Sequence, residues 1–304
     1  MYSQHFLLPP LARFDGAPAL KRWLARGDRL ADAPRGREAQ LREVFQLPGA
    51  PLPVAALLRE SIAHDAGETP WLCADPAYVR VEANGARLLA CGDELQLTRE
   101  EAESLAQPLR PLFGDAGMPL EITTPSRWAL RLPQGPQLPA FAAPEEALGA
   151  NLLEQLPQGD GGRRWRALFN EAQITLHSHP VNAARRERGA MPMNALWFWG
   201  TGALPWVKSS LKLAISDDAL ACALAQRAGV KRSPLTPNAV DEVPRGSPVL
   251  LDVAALDAAQ IEAAWLPRIE RLLRRGAELH LAFAGGERFR IRRWHRWRVW
   301  RRSA

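Results

Sequence analysis

The sequence predicts an α/β protein with a partly parallel sheet, accompanied by a smaller α+β unit. Apolar residues make up 47% of the 304 residues, which is enough for the cores of two domains or of one large domain with an insertion. Four short apolar runs, at 195–199, 211–215, 249–253 and 279–283, are spaced mostly by helical patterns, as in βαβ units. Strand and hairpin signals between residues 70 and 132 predict the α+β unit.

The first 69 residues predict one strand followed by helices. An apolar opening predicts a strand near residues 6–8, ahead of two consecutive prolines. Leucine and tryptophan at helical spacing predict a helix at 17–26 that Gly27 ends. Similar patterns predict further helices at 38–45 and 54–64.

Residues 70–171 carry the signals of the α+β unit. Residues 78–82 alternate apolar and polar side chains, and Asn84-Gly85 favours a tight turn that leads to a partner strand at 87–91. Thr98 followed by Glu101 is a capping box, which predicts a helix running to about residue 109. The remaining predicted elements are strands at 120–123 and 127–132, a proline-rich connection at 133–144, and helices at 145–156 and 163–171.

The stretch at 177–202, HSHPVNAARRERGAMPMNALWFWGTG, concentrates the residues that suit a binding site. Pro180 predicts a turn, and Asn182 is expected to cap a helix at 183–188 that Gly189 ends. The apolar run at 195–199 predicts a strand buried on both faces, closed by a Gly-x-Gly turn. This turn could bind phosphate, but the pattern breaks after the second glycine, so a plain tight turn is favoured.

Arginines in this stretch predict affinity for anions. Arg185, Arg186 and Arg188 flank the histidine pair His177 and His179, and guanidinium groups bind phosphate or carboxylate in bidentate fashion. A solvated helix face explains the same pattern equally well.

The C-terminal third predicts a helix at 217–228 capped by Ser216, a long helix at 257–275 and a last strand at 288–293. The run RFRIRRWHRWRVWRR, at 288–302, holds eight arginines and three tryptophans. It could form a basic stacking surface for nucleic acid or an anionic membrane. The favoured interpretation is an edge strand and a terminal turn, with tryptophans packed inward and arginines solvated, because Phe289 and Ile291 alternate with arginine.

Charge and cysteine usage limit the classes of partner and compartment. The net charge is +6 with a pI near 9.8, which permits anionic partners without naming one. Cys73, Cys91 and Cys222 have no metal-binding spacing, so we expect reduced thiols in a cytoplasmic protein. No signal peptide is expected, and no apolar run reaches the ~18 residues of a membrane span.

The stretch at 177–202 resembles a segment of the archaeal-type cofactor-independent phosphoglycerate mutases, members of the alkaline phosphatase superfamily, where the chain leaves an inserted domain and re-enters the core. WLCADPAYVRVE, LTREEAESL and RWALRL also resemble that inserted domain. The whole chain resembles the shorter, tryptophan-rich RpfE-like regulatory proteins. The resemblance implies a reduced alkaline-phosphatase-like core at 1–69 and 190–304 and an inserted α+β domain at 70–189.

The same resemblance implies which residues bind a ligand. Residues that match the segment near the substrate cleft are His177, His179, Asn182, Arg185, Arg186 and Asn194. Asp75 and Arg127 match the inserted domain and are expected to hold it together, because a buried carboxylate needs a partner.

Catalysis in that family requires two divalent metals, held by aspartates and histidines, and a serine nucleophile at a helix start. This chain has no Asp-His pair in that order, Ser61 is predicted inside a helix, and His280 has no neighbouring aspartate. We therefore expect no catalytic or metal-binding residues and no cofactor, and a regulatory protein that binds a small anionic (phosphorylated) metabolite or a protein partner. The alternatives are an active phosphoglycerate mutase or phosphatase using Mn or Mg, and a nucleic-acid or membrane-surface binder acting through the C-terminal run.

Overall fold

The computed structural model describes residues 3–83, 85–135, 138–241, 243 and 246–298. The strands of these residues, in chain order, are β1 (Ser3–Leu8), β2 (Asp28–Arg29), β3 (Trp71–Glu82), β4 (Gly85–Cys91), β5 (Leu120–Thr124), β6 (Arg127–Arg131), β7 (Ala195–Gly202), β8 (Leu213–Ile215), β9 (Lys231–Ser233), β10 (Val249–Asp252), β11 (Glu278–Phe283) and β12 (Arg288–Ile291).

The helices of the same residues are α1 (Pro18–Arg26), α2 (Arg37–Arg42), α3 (Val54–Ala63), α4 (Arg99–Ala106), α5 (Leu109–Asp115), α6 (Pro144–Ala147), α7 (Leu152–Gln155), α8 (Gly159–His177), α9 (Pro180–Glu187), α10 (Ala219–Arg227), α11 (Ala258–Gln260) and α12 (Leu266–Arg274). A π-helical turn, Ile261–Trp265, joins α11 to α12. None of the helices described has both the length and the apolar character needed to cross a membrane.

The chain divides into two compact units, of which unit 1 comprises residues 1–48 and 206–304. Its sheet has the order β2-β12-β11-β1-β10-β8-β9, in which β1, β8, β9, β10 and β11 run parallel. β12 pairs antiparallel with β11, and β2 pairs antiparallel with β12. The continuous apolar end of β1 suits its central position, where Phe6 pairs in register with Leu251 and Leu281. Unit 1 confirms the predicted α/β class with a partly parallel sheet.

Unit 2 comprises residues 49–205 and is built around the long strand β3. β3 pairs antiparallel with β7 along one side and with β6 and then β4 along the other, and β5 follows β6. The predicted capping box is confirmed, because Thr98 Oγ1 accepts from Glu101 N and Glu101 Oε2 accepts from Thr98 N. Strands and helices are mixed here as the α+β prediction requires.

The prediction that residues 195–199 join the parallel sheet is wrong. β7 pairs antiparallel with β3 in unit 2, with Asp75 opposite Trp197. Its all-apolar pattern indicates burial on both faces but does not specify the sheet. The Asn194 side chain extends this ladder, because Oδ1 accepts from Val79 N and Nδ2 donates to Val79 O, each at 2.8 Å.

The unit boundaries also differ from the predicted domain limits at 69/70 and 189/190. α3 and β7, both expected in the core, belong to unit 2. The Gly-x-Gly segment explains their association, because an added Cβ at Gly200 would lie 2.8 Å from Val54 Cβ, and one at Gly202 would lie 2.7 Å from Pro53 Cβ. The two glycines therefore continue β7 against the start of α3 rather than forming a terminal turn.

Several helix ends differ from the sequence expectations because of local capping. Residues 173–177 end the long helix α8, and α9 begins at Pro180 with His179, not Asn182, as its N-cap. Asp218, not Ser216, caps α10. The helix expected at 257–275 is interrupted by the π-turn. The helix expected to reach residue 109 divides into α4 and α5, and the helix expected at 145–156 is reduced to α6 and α7.

The C-terminal run is only partly as predicted. β12 lies between β11 and β2, so it is not an edge strand. Trp294 and Trp297 are 46% and 65% exposed, which contradicts the expected inward packing. Arg288 and Arg298 form ion pairs with Glu43 and Asp28. Asn84 of the predicted hairpin turn, and Trp300 and the last arginines of the run, lie outside the described residues.

Candidate functional site

The junction between α8 and α9 in unit 2 carries five of the six residues expected to bind a ligand. Asn182 is fully buried, and its side chain forms three hydrogen bonds. Nδ2 donates to Leu176 O at 2.8 Å and to Met193 O at 2.7 Å, and Oδ1 accepts from Met193 N at 2.8 Å. Asn182 therefore ties α9 to the end of α8 and to the approach to β7. Asn194 bonds to Val79 in the strand ladder, so the side chains of both predicted ligand asparagines make their hydrogen bonds within unit 2.

Arg185 is also engaged within unit 2. Its side chain is 2% exposed, and Nη1 donates to Glu101 Oε2 at 2.6 Å. Nε donates to Met191 O and Nη2 to Leu95 O, so the guanidinium is held on every edge. Glu101 forms a second ion pair, with Arg188. Burial raises the pKa of the Glu101 carboxyl, but the Thr98 N–H and the two arginines outweigh it, and the pKa lies below its ordinary value.

The other three predicted residues lie at the surface of the same junction. His177 and Arg186 are exposed and His179 is half-buried. His179 Nδ1 accepts from Val181 N at 3.3 Å, and Arg186 Nη2 donates to His177 O at 3.4 Å. Within the described part of the chain, Arg186 has no carboxylate partner, so its guanidinium can still bind an anion. We refer to His177, His179 and Arg186 as the junction surface.

The expectation that Asp75 needs an arginine is confirmed. Asp75 is fully buried, and its Oδ2 accepts from Arg127 Nη1 at 2.5 Å and from Trp199 Nε1 at 2.8 Å. Trp128 N donates to Oδ1 at 3.3 Å. This ion pair joins β3, β6 and β7, which is a structural role within unit 2.

The carboxyl edge of the parallel sheet in unit 1 holds a second polar cluster, which the sequence analysis missed. Asp252 is the last residue of β10, and Ser216 follows β8. Ser216 Oγ donates to Asp252 Oδ2 at 2.8 Å and accepts from Asp218 N at 3.0 Å. In open α/β sheets this edge is where ligands bind. The available sequence signal was an aspartate, Asp252, near the carboxyl end of a predicted buried strand.

Arg37, the first residue of α2, neutralises this cluster. Nη1 and Nη2 donate to the two Asp252 oxygens at 3.1 and 2.5 Å, and Nη2 also lies 2.8 Å from Asp218 Oδ1. Burial lowers the pKa of Arg37, but both carboxylates raise it and prevail, so it stays charged. Arg37 lies in a charged stretch without any recognisable motif, so no sequence signal pointed to it.

α2 covers the neighbouring strand ends as well. Gln40 is 3% exposed, and its Nε2 donates to Leu8 O at the end of β1 and to Ala282 O near the end of β11, each at 2.8 Å. The same helix thus satisfies the ends of β1 and β11 through Gln40 and the end of β10 through Arg37. The strand ends that usually face a ligand are hydrogen-bonded to a helix.

The donor set at this edge does not fit a Mn²⁺ or Mg²⁺ centre. Such ions bind carboxylates whose charge is available, whereas both carboxylates here already bind a guanidinium. In the part of the chain that the structure describes, no group of three or more His, Cys, Asp or Glu side chains could hold a metal ion. The serine and the histidine that the sequence analysis considered for catalytic roles form hydrogen bonds within the protein. Ser61 Oγ, in α3, donates to Leu58 O, and His280 Nε2 lies 2.9 Å from Glu278 Oε1.

Sequence comparison relates part of this chain to phosphoglycerate mutases. No family model matches. Over 66 residues, the chain is 39% identical to a Geobacter sulfurreducens protein named "Probable 2,3-bisphosphoglycerate-independent phosphoglycerate mutase", covering 22% of this chain and 16% of that protein. It is 34% identical over 70 residues to the 2,3-bisphosphoglycerate-independent phosphoglycerate mutase of Methanosarcina mazei, covering 23% and 18%. The matches therefore span less than a fifth of these relatives' length.

Two solved structures resemble the chain over most of its length. A protein from Pyrococcus horikoshii covers 95% of this chain and 86% of its own, with 13% identity and a TM-score of 0.46. The cofactor-independent phosphoglycerate mutase of Thermoplasma acidophilum covers 96% and 90%, with 15% identity and a TM-score of 0.39. Both scores lie below 0.5.

Proposed function

We propose that this chain is a non-catalytic, cytoplasmic relative of the cofactor-independent phosphoglycerate mutases, which binds a small phosphorylated metabolite in a regulatory role. The local sequence identity supports the relation to that family. The membership among RpfE-like regulatory proteins stays part of the proposal.

The observation that carries the non-catalytic role is the ion pair of Arg37 with Asp218 and Asp252. A metal-dependent phosphoryl transfer needs carboxylates free to hold the cations that neutralise the phosphate. At this edge a guanidinium supplies the positive charge instead, and it is fixed by α2. A side chain held in this way can balance buried carboxylates, but it cannot activate a nucleophile as a metal does.

The proposed metabolite site is the junction surface. Its histidines can donate to phosphate oxygens, and Arg186 provides a guanidinium without a competing carboxylate among the described residues. Asn182 and Arg185 fix α9, which carries Arg186, whereas Asn194 bonds to Val79 in the strand ladder. A protein partner is the second candidate, because two apolar residues close to the junction in sequence, Ile174 and Met191, are 74% and 40% exposed.

The test combines turnover with binding. Purified protein is assayed for phosphoglycerate mutase activity with Mn²⁺ or Mg²⁺, and its metal content is measured. Binding of 3-phosphoglycerate without metal is then measured by calorimetry for the natural protein and for the His179→Ala/Arg186→Gln double variant. Arg163→Gln, on an exposed residue near the start of α8, is the charge control.

We expect no metal-dependent turnover, and binding that weakens about 10-fold or more in the double variant, because a charge-assisted hydrogen bond contributes roughly 1.5–3 kcal/mol. The control should bind normally. Turnover with bound metal would establish the active-enzyme alternative. Absence of 3-phosphoglycerate binding would reject the metabolite and leave the protein partner.

A further inference from the structure

A cavity of about 440 Å³ lies in unit 1 between α1, α12 and the turn that follows β12. Pockets for small molecules typically measure a few hundred cubic ångströms and combine apolar walls with a few polar groups. This cavity lies away from the carboxyl edge of the sheet, and none of its lining residues belongs to the Arg37 cluster. It therefore requires an explanation of its own.

Part of the cavity lining is apolar and aromatic. It consists of Trp23 of α1, Leu273 of α12 and Ile291 of β12. Trp23 Nε1 donates to Glu270 Oε1 at 3.1 Å, so the indole is held in one orientation. A fixed indole beside two aliphatic side chains offers a flat surface for a ring.

Apart from Glu270 and His295, the rest of the lining consists of arginines, which are incompletely neutralised. Arg274 and Arg292 have carboxylate partners, Glu270 at 3.4 Å and Glu278 at 2.5 Å. Arg26, Arg293 and Arg296 also line the cavity, and none of these three has a carboxylate partner among the residues described. Like charges gathered at one cavity repel each other, and an anion bound between them would relieve that repulsion.

We propose that this cavity binds a small organic phosphate with an apolar ring. The ring would pack against Trp23, Leu273 and Ile291, and the phosphate would bind Arg26, Arg293 and Arg296. Arginine suits this role because its planar donors match phosphate oxygens in bidentate geometry. This site lies in the other unit from the junction surface and does not rest on the proposed function.

The test uses three probes in calorimetric titrations of the full chain: 1-naphthyl phosphate, inorganic phosphate and 1-naphthol. 1-Naphthyl phosphate should bind at least about 10-fold more tightly than either other probe, because it alone contacts both parts of the cavity. The Arg293→Gln/Arg296→Gln variant should weaken its binding about 10- to 100-fold. Both arginines are exposed, so the fold should be retained, which circular dichroism checks.

The control variant Arg163→Gln/Arg232→Gln removes the same charge at two exposed residues that do not line the cavity, and should bind as the natural protein does. Trp23→Leu should weaken 1-naphthyl phosphate but not inorganic phosphate. Equal losses in the two double variants, or equal affinity for 1-naphthyl and inorganic phosphate, would overturn the proposal. Binding of the protein to phosphatidylglycerol vesicles without binding of 1-naphthyl phosphate would also overturn the proposal, because it would indicate a membrane-binding surface. The His179→Ala/Arg186→Gln variant should bind 1-naphthyl phosphate as the natural protein does, because its effect on 3-phosphoglycerate concerns the junction surface and not this cavity.

Discussion

Arg37 shows how one side chain can decide the chemistry of a sheet edge. Its guanidinium is shared by Asp252, whose side chain is 2% exposed, and Asp218, which is 39% exposed. A buried carboxylate without a cation pays a large desolvation penalty, so the pair is required for stability once Asp252 is present.

Replacing Arg37 by Met should therefore destabilise the protein. We expect a loss of roughly 3–5 kcal/mol in the free energy of unfolding, measured by urea denaturation, because Asp252 would stay buried and unpaired. Adding Asp252→Asn should recover much of this loss. Arg35→Met, on an exposed neighbour, should change stability by less than about 0.5 kcal/mol. Equal losses at Arg35 and Arg37 would contradict the pairing argument.

His5 predicts a dependence of stability on pH. Its ring stacks on His280 with centroids 5.2 Å apart, and burial, followed by the charge of His280, lowers its pKa to about 4. The folded protein thus keeps His5 neutral where the unfolded chain, with a pKa near 6.5, takes up a proton. The stabilisation is complete above pH 6.5 and is lost as pH falls toward 4.

His5→Phe preserves a stacking ring without the titration. Between pH 7 and pH 4.5 the natural protein should lose roughly 2–3 kcal/mol more unfolding free energy than this variant, as urea denaturation at the two pH values would show. His177→Phe, at an exposed helix end, should retain the full dependence. Identical pH profiles for the natural protein and His5→Phe would refute the role of His5.

At the scale of elements, the contact between β7 and α3 in unit 2 depends on the absence of a side chain. Gly200 has φ +63°, and a Cβ there would lie 2.8 Å from Val54 Cβ. Gly189, at the end of α9, has φ +74° with open space around it. The two glycines share a left-handed backbone, but only Gly200 has a close neighbour.

Gly200→Ala should destabilise by roughly 2–4 kcal/mol and Gly189→Ala by about 1 kcal/mol, both measured as shifts in the urea midpoint. Both variants place a non-glycine residue at positive φ, and this strain destabilises both. The larger loss expected for Gly200→Ala comes from overpacking against Val54. Val54→Gly, which removes the Cβ that lies 2.8 Å away, should relieve the overpacking in the Gly200→Ala background and bring no recovery in the Gly189→Ala background. Equal effects at the two glycines would show that β7 and α3 tolerate separation.

At the scale of the whole molecule, charge is distributed unevenly between the units. Basic residues outnumber acidic ones in unit 1, and acidic residues outnumber basic ones in unit 2. Within the basic C-terminal run, Arg288, Arg290, Arg292 and Arg298 are already in ion pairs. The excess charge is therefore less available to a polyanion than the composition suggests.

Binding to single-stranded nucleic acid should accordingly be weak. For a labelled oligothymidine followed by fluorescence polarisation, we expect a log–log salt slope no steeper than about −2, because among the described residues of this basic surface three arginines, Arg26, Arg293 and Arg296, have no carboxylate partner. The Arg293→Gln/Arg296→Gln variant should flatten this slope. A slope several times steeper with tight binding would favour the nucleic-acid alternative.

The candidate site separates what was predictable from what was not. The resemblance marked Asn182, Arg185 and Asn194 as ligand residues, yet their hydrogen bonds run to Met193, Glu101 and Val79 within unit 2. Polar residues that bind a ligand and polar residues that fix a buried turn look alike in sequence. Only the list of partners distinguishes them.

Local sequence by itself determined the elements whose signals lie within a few residues. The alternating pattern of β3 and the capping box of α4 are of this kind, because their physical causes are neighbouring backbone groups and side chains. Tertiary structure alone decided which sheet β7 joins and that Arg37 closes the carboxyl edge. Both depend on contacts between residues more than one hundred positions apart, whose pairing no local periodicity encodes.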